Sequence, residues 1–156
     1  MTTWDTVIEA VTLALGGERT DGRAALDAAW AGTGEGDHAA RCVLAHYLAD
    51  VQDTLDDEVR WDETALREHA SVGEADLAAL GIPSAAGLAP SLHLNLGDGY
   101  ARRGELAAAR EQLHAGRAAS GSLGDDGYGA MIRQGLEGLR ERIDEAERAA
   151  AADHAP

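Results

Sequence analysis

The chain has 156 residues, with 28 Asp and Glu against 13 basic residues, so its net charge at pH 7 is −15. This charge repels phosphate backbones and anionic lipid surfaces, which excludes nucleic acids and membranes as expected partners and favours a basic one. The composition is 45% hydrophobic but only 4% aromatic, which suits closely packed helices better than a β-sandwich. The single cysteine, Cys42, excludes an internal disulfide and is expected in the core. We see neither a secretory signal nor a long apolar run, and therefore expect a cytoplasmic protein.

The first two predicted helices form a pair. One spans residues 3–15 and ends at Gly16-Gly17, and the second spans about 21–31 with Asp21 as its N-cap. The apolar face of the first helix follows three- and four-residue steps and is expected to point inward; it consists of Trp4, Val7, Ile8, Val11 and Leu15.

A second, less regular pair follows. Asp37 is expected to cap a helix from residue 38 to about 52, and another helix is expected over about 56–71, after an acidic turn. Between residues 72 and 90 the periodicity weakens. Because a residue before Pro is pushed out of the helical region, this stretch is predicted to be an irregular connection.

The clearest pattern lies in residues 90–121, where two short helices are joined by a tight turn. Either Ser91 caps the first of them or Pro90 stands in its first turn. Gly97 lies inside this helix, where glycine costs roughly 1 kcal/mol relative to alanine. We expect that the missing Cβ lets the second helix approach, with Ala109 opposite Gly97.

These residues resemble the tetratricopeptide repeat, a helical pair with a period of about 34 residues. Its Leu-Gly, aromatic, Gly, Ala and large-residue places are filled here by Leu96, Gly97, Tyr100, Gly104, Ala109 and Leu113. The chain departs from the pattern at His93, where Trp is usual, and at Gly121, where Pro often closes the repeat. The earlier pairs resemble looser repeats, aligned on Val7-Ile8 and on Leu44-Ala45.

A long amphipathic helix is predicted after residue 125 or 126, either of which can cap it. Its apolar stripe consists of Tyr128, Ile132, Leu136, Leu139 and Ile143. The resemblance implies an all-α fold, a right-handed solenoid of seven to eight helices in antiparallel pairs, with this last helix covering the open end. We expect one domain over residues 1–150 and a frayed tail over 151–156.

The resemblance also implies a function, since this family usually binds peptides or partner proteins on its concave face. Carried over residue by residue, the groove consists of Asp5, Glu9, His46, Asp50, Asn95, Asp98 and Arg102. Its acidic character favours a basic protein or peptide, and the expected function is that of an adaptor.

A small ligand- or metal-binding or enzymatic domain that uses the His and Asp groups of the same face is the alternative function. No HExxH or CxxC motif occurs, so we expect no cofactor, no metal site and no catalytic residues. Both a monomer and a homodimer remain open, with Tyr47 and Trp61 as candidate self-association residues.

Overall fold

The computed structural model describes residues 3–156, and this part of the chain is helical without any β-strand. The all-α prediction is therefore confirmed. The helices are α1 Thr3–Leu15, α2 Arg19–Ala31, α3 His38–Asp50, α4 Leu55–His69, α5 Ala89–Arg102, α6 Leu106–Ala119 and α7 Gly127–Asp153. Three short 3₁₀ turns lie at Ala78–Leu80, Ala85–Leu88 and Ser120–Ser122.

The chain divides into two compact units, Met1–Ala85 and Ala86–Pro156. The single domain expected over residues 1–150 and the frayed tail over 151–156 stay predictions. Residues 149–156 are exposed, and α7 continues through Asp153.

In the first unit, α1 packs against α2 and α3, and α3 packs against α2 and α4. α1 and α2 approach each other closely at Gly22, where an added Cβ would lie 2.6 Å from the Cα of Ala14. Only glycine allows this separation, because the atom on the other side belongs to the backbone and cannot rotate away. The packing glycine of this pair therefore lies in its second helix.

In the second unit, α5 and α6 pack on each other and both contact α7. A Cβ added at Gly97 would lie 3.5 Å from the carbonyl oxygen of Ala109 and 2.8 Å from Cδ2 of Leu139. The predicted approach of Gly97 to Ala109 is thus confirmed. Leu139 of α7 also packs into the space left by the missing Cβ. The buried core around it consists of Ala109, Leu113, Leu123, Ile132, Leu136, Leu139 and Ile143.

The turns of the α1–α2 and α5–α6 pairs have the same backbone geometry. Gly17 and Gly104 both have positive φ, 88° and 80°, and each is followed by a glutamate with φ and ψ near −82° and 72° or −86° and 69°. Aligning these turns puts Ala10, which is 2% exposed, at the place of Gly97. The prediction that Ile8 occupies this place is wrong, since Ile8 is 40% exposed.

Several predicted helix starts are corrected by the structure. α2 begins two residues before Asp21, with Glu18 as its N-cap. Asp37 does precede α3, but its carboxylate accepts the N–H of Gly34 and not an N–H of the helix. The first turn of α4 is capped by Thr54, whose hydroxyl accepts the N–H of Asp57.

The two open choices in the second half are decided. Pro90 stands in the first turn of α5, and Ser91 is buried in the helix and does not cap it. Asp126 caps α7 by accepting the N–H of Gly129 at 2.8 Å.

The long helix α7 is held in two ways. Ile132, Leu136, Leu139 and Ile143 are buried as predicted, but Tyr128 is 45% exposed and its assignment to the stripe is wrong. Toward the C-terminal end, the guanidinium of Arg110 on α6 donates to Asp144 at 2.6 Å and to Glu147 at 2.9 Å. Apolar packing and ion pairing thus both hold this helix, and the ion pairs with Arg110 lie in its C-terminal half.

Candidate functional site

An apolar stripe on α1 reaches the surface of the first unit. Trp4, Ile8, Val11 and Leu15, here called the α1 stripe, follow each other at steps of four, three and four residues, which aligns them along one side of a helix. Ile8 is 40% exposed and Leu15 is 69% exposed. A different side of α1 faces the interior, through Val7 and Ala10. The stripe was predicted to point inward, and the exposure of Ile8 and Leu15 corrects that.

A pocket opens beside the C-terminal end of the α1 stripe. Its volume is about 170 Å³, and it is lined by residues from the end of α1, the following turn, the first residue of α2 and the end of α3. These residues are Ala14, Leu15, Gly17, Arg19, Tyr47, Asp50 and Val51. The pocket therefore combines aliphatic and aromatic walls with one carboxylate and one guanidinium, a composition typical of small binding pockets.

The two arginines near this pocket are engaged with the end of α3 and the turn after it. Arg19 donates to the backbone oxygen of Gln52 at 2.6 Å, and Arg23 donates to the carboxylate of Asp53 at 2.9 Å. Arginine at this place satisfies carbonyls that a helix C-terminus leaves open and complements the helix dipole. These cations thus stabilise the pocket wall.

His46 and Asp50, two predicted site residues, lie one turn apart on α3. Burial lowers the pKa of His46 to about 4, so its imidazole is neutral at pH 7. Its ring lies 5.3 Å from that of Tyr47, centroid to centroid. Partial burial, and then the nearby charge of Glu58, raise the pKa of the Asp50 carboxyl. Asp50 lines the pocket.

Asp5 and Glu9, also predicted site residues, are exposed on α1. Each directly follows a stripe residue in sequence and so lies about 100° around the helix from it. The wider charge has the same sign, because residues 1–85 contain 17 Asp and Glu but only five Arg. The first unit thus carries −12 of the net charge of −15.

The remaining predicted site residues, Asn95, Asp98 and Arg102, lie on α5 in the second unit. The carboxylate of Asp98 accepts from Arg102 at 2.9 Å and from Arg142 of α7 at 2.9 Å. Asn95 and Asp98 are half-buried, and Arg102 is exposed. Because two guanidinium groups neutralise Asp98, this carboxylate attracts a basic ligand less than the sequence pattern suggests.

A network of tryptophan and charged residues joins α2, α3 and α4. Trp30 and Trp61 meet edge to face at 4.9 Å, and the guanidinium of Arg41 lies 4.2 Å over Trp30. Arg41 and His38 both contact the carboxylate of Glu68, at 3.0 Å and 2.7 Å. Burial opposes the charge of Glu68, but these hydrogen bonds outweigh it and lower its pKa. The network accounts for Trp30 and Trp61 as packing residues.

Other polar and reactive groups also have structural roles. His93 is half-buried and pairs through Nδ1 with Gln112 at 2.8 Å. Cys42 is fully buried, and burial, followed by the charge of Glu68, raises the pKa of its thiol to about 12. Among residues 3–156, no group of three His, Cys, Asp or Glu could hold a metal ion. No helix in the described part of the chain has the length and apolarity to cross a membrane.

Sequence reasoning missed Leu15, Arg19 and Tyr47 as site residues. The steps of four, three and four residues in α1 were a usable signal, because they run through Leu15 to the last residue of the helix. The pocket has no such signal, since its two walls come from residues 14–19 and 47–51, which are far apart in the sequence.

Comparisons of this chain with protein-family models, with curated proteins and with solved structures find no match.

Proposed function

We propose that this chain is a protein-interaction module and that its first unit receives a segment of a partner along the α1 stripe and in the adjoining pocket. The observation that carries the proposal is the exposure of Leu15, 69%, at the mouth of a pocket that also contains Tyr47 and Val51. A large apolar side chain is costly to leave in water when a partner could cover it, and aliphatic and aromatic pockets are typical centres of protein interfaces.

The electrostatics of this unit support the same function. Four of the predicted groove residues, Asp5, Glu9, His46 and Asp50, lie on α1 and α3, which pack against each other. At neutral pH His46 is uncharged, so the fixed charges of this set are negative. A basic or amine-bearing segment is favoured over an acidic one.

The solenoid of antiparallel pairs and the membership of the tetratricopeptide family remain part of this proposal. The shared turn geometry at Gly17 and Gly104 and the close approach at Gly97 support it. In such a solenoid the first helices of successive pairs line the binding face, which here means α1 and α3 together.

Selection from a displayed library of random peptides tests the function. Peptides that bind the immobilised chain are measured again on Leu15→Asp, on Tyr47→Ala and on Met131→Asp, a control at an exposed apolar residue of the second unit. The proposal predicts binders that lose affinity on the first two variants and keep it on the third. A selection that yields no binder sensitive to Leu15 or Tyr47 would refute it.

A further inference from the structure

Resting on the proposed function, we infer that the segment received by the α1 stripe is a basic amphipathic α-helix of a partner protein. Its apolar residues recur every three or four positions, its arginines or lysines flank them, and one large apolar side chain enters the pocket beside Leu15. Three features of the first unit carry this inference, namely the shape of the stripe, the position of the pocket and the sign of the charge.

The shape of the stripe selects a helix as its occupant. From Trp4 to Leu15 the stripe runs along α1 for about 16 Å, at a rise of 1.5 Å per residue. Its steps of four, three and four residues match the seam of one helix packing on another, where side chains at such positions interdigitate. A peptide that binds by adding a strand to a sheet needs an open strand edge, and residues 3–156 contain no strand.

The pocket fixes where the occupant is anchored. It begins at Ala14 and Leu15, where the stripe ends, and its far wall is formed by Tyr47 of α3 and by Val51, which directly follows α3. A helix lying along the stripe therefore reaches the pocket with a side chain near one of its ends. Interfaces of this kind concentrate their binding energy in a few side chains that fill such pockets.

The sign of the charge selects a basic helix and argues against a second copy of this chain. The first unit carries −12, so pairing two such units would bring like charges together. Asp5 and Glu9 lie beside the stripe on α1, and two stripes packed face to face would set these acidic rows against each other. Arginine or lysine on a partner helix would meet the same rows with opposite charge.

The test uses a fluorescein-labelled peptide of about 14 residues, long enough for a helix of about 21 Å, in which leucines recur every three or four positions among lysines. Two matched peptides serve as controls, one with the same residues in an order that destroys the spacing and one with every lysine replaced by glutamate. Fluorescence anisotropy gives the affinity for the full chain, and circular dichroism reports helix formed on binding.

The spaced basic peptide is expected to bind, to gain helix, and to bind less tightly as the salt concentration rises. Leu15→Asp is expected to weaken it by about tenfold or more, as for a central apolar anchor, whereas Met131→Asp leaves it unchanged. Circular dichroism and light scattering of each variant verify that it is folded and has the same association state.

Equal binding of the peptide with altered spacing would overturn the helical occupant, and equal binding of the glutamate peptide would overturn the basic one. Absence of binding would overturn both. If light scattering shows a dimer that Leu15→Asp disperses and Met131→Asp does not, a second copy is the occupant and the inference fails. The displayed-peptide selection separates the two proposals. If it yields Leu15-dependent binders that are not basic helices, the basic helical occupant is ruled out but the proposed function holds.

Discussion

Replacing Gly22 by alanine tests the close approach of α1 and α2 most directly. The new Cβ would lie 2.6 Å from the Cα and 3.1 Å from the backbone nitrogen of Ala14, whereas carbon atoms in contact normally lie about 3.5–4.0 Å apart. The two helices must therefore separate by about 1 Å, and overpacking of this kind costs about 1–3 kcal/mol. The gain in helix propensity, about 1 kcal/mol, offsets part of that.

We expect the free energy of unfolding of the first unit to fall by up to about 2 kcal/mol, the difference between these two effects. For a unit of this size each kcal/mol lowers the melting temperature by about 4–8 °C. Tryptophan fluorescence during urea unfolding reports on the first unit, because Trp4, Trp30 and Trp61 all lie in residues 1–85.

Gly138→Ala is the control for this experiment. At Gly138 an added Cβ has one neighbour within 4 Å, the flexible end of Arg142 at 3.4 Å, so only the propensity gain of up to about 1 kcal/mol applies. The stability of this control variant is measured by circular dichroism at 222 nm, because Gly138 lies in the second unit and the three tryptophans lie in the first. A Gly22→Ala variant that is more stable than the unaltered chain, by the same propensity gain as Gly138→Ala, would show that the two backbones are not in contact there.

Three further changes address other parts of the structure. Gly97→Ala should destabilise the second unit by about 1 kcal/mol, less than a backbone clash would, because the nearest atom is the Leu139 side-chain end at 2.8 Å; a circular dichroism midpoint that rises would contradict this. Glu68→Gln should cost about 1–3 kcal/mol at pH 7, by loss of a charged acceptor in the network. Because the pKa of Glu68 is lowered from 4.5, its contribution is present above that pH and is lost as the pH falls through the lowered value. Unfolding at pH 7 and pH 3 should therefore differ less in the variant, and an unchanged difference would rule out the ion pair. His46 should show no imidazole shift by NMR between pH 8 and pH 6, since its pKa is about 4. Stability should fall as the pH drops from about 6.5, the pKa of an unfolded histidine, toward 4. A titration midpoint near 6.5 in the folded protein would contradict the burial of this imidazole.

The existence of the helices could be predicted because each has a local signal. Apolar residues at three- and four-residue steps and the Gly16-Gly17 stop give α1 its bounds, and Gly97 predicts a close helix contact because a glycine within a helix needs a packing reason. Glu18 has no such signal, since glutamate is not among the favoured N-cap residues. That is why α2 was expected to begin at Asp21.

The site could be predicted only in part because periodicity shows where apolar residues lie but not what covers them. The apolar side of α1 is wider than one packing face, so Val7 and Ala10 are buried while Leu15 stays in solvent. The neutralisation of Asp98 depends on Arg142, 44 residues later. Contacts at that separation follow from the tertiary fold and have no local sequence signature.

The two ways in which α7 is held imply that different physical conditions act on its two ends. Around Ile132 and Leu136 the attraction is hydrophobic, so it strengthens in sulfate or sucrose and weakens on cooling. Near Asp144 and Glu147 it is Coulombic and partly exposed to water, so dissolved sodium chloride weakens it. Cold therefore weakens mainly the apolar contacts of this helix, and salt weakens mainly its ion pairs at Asp144 and Glu147.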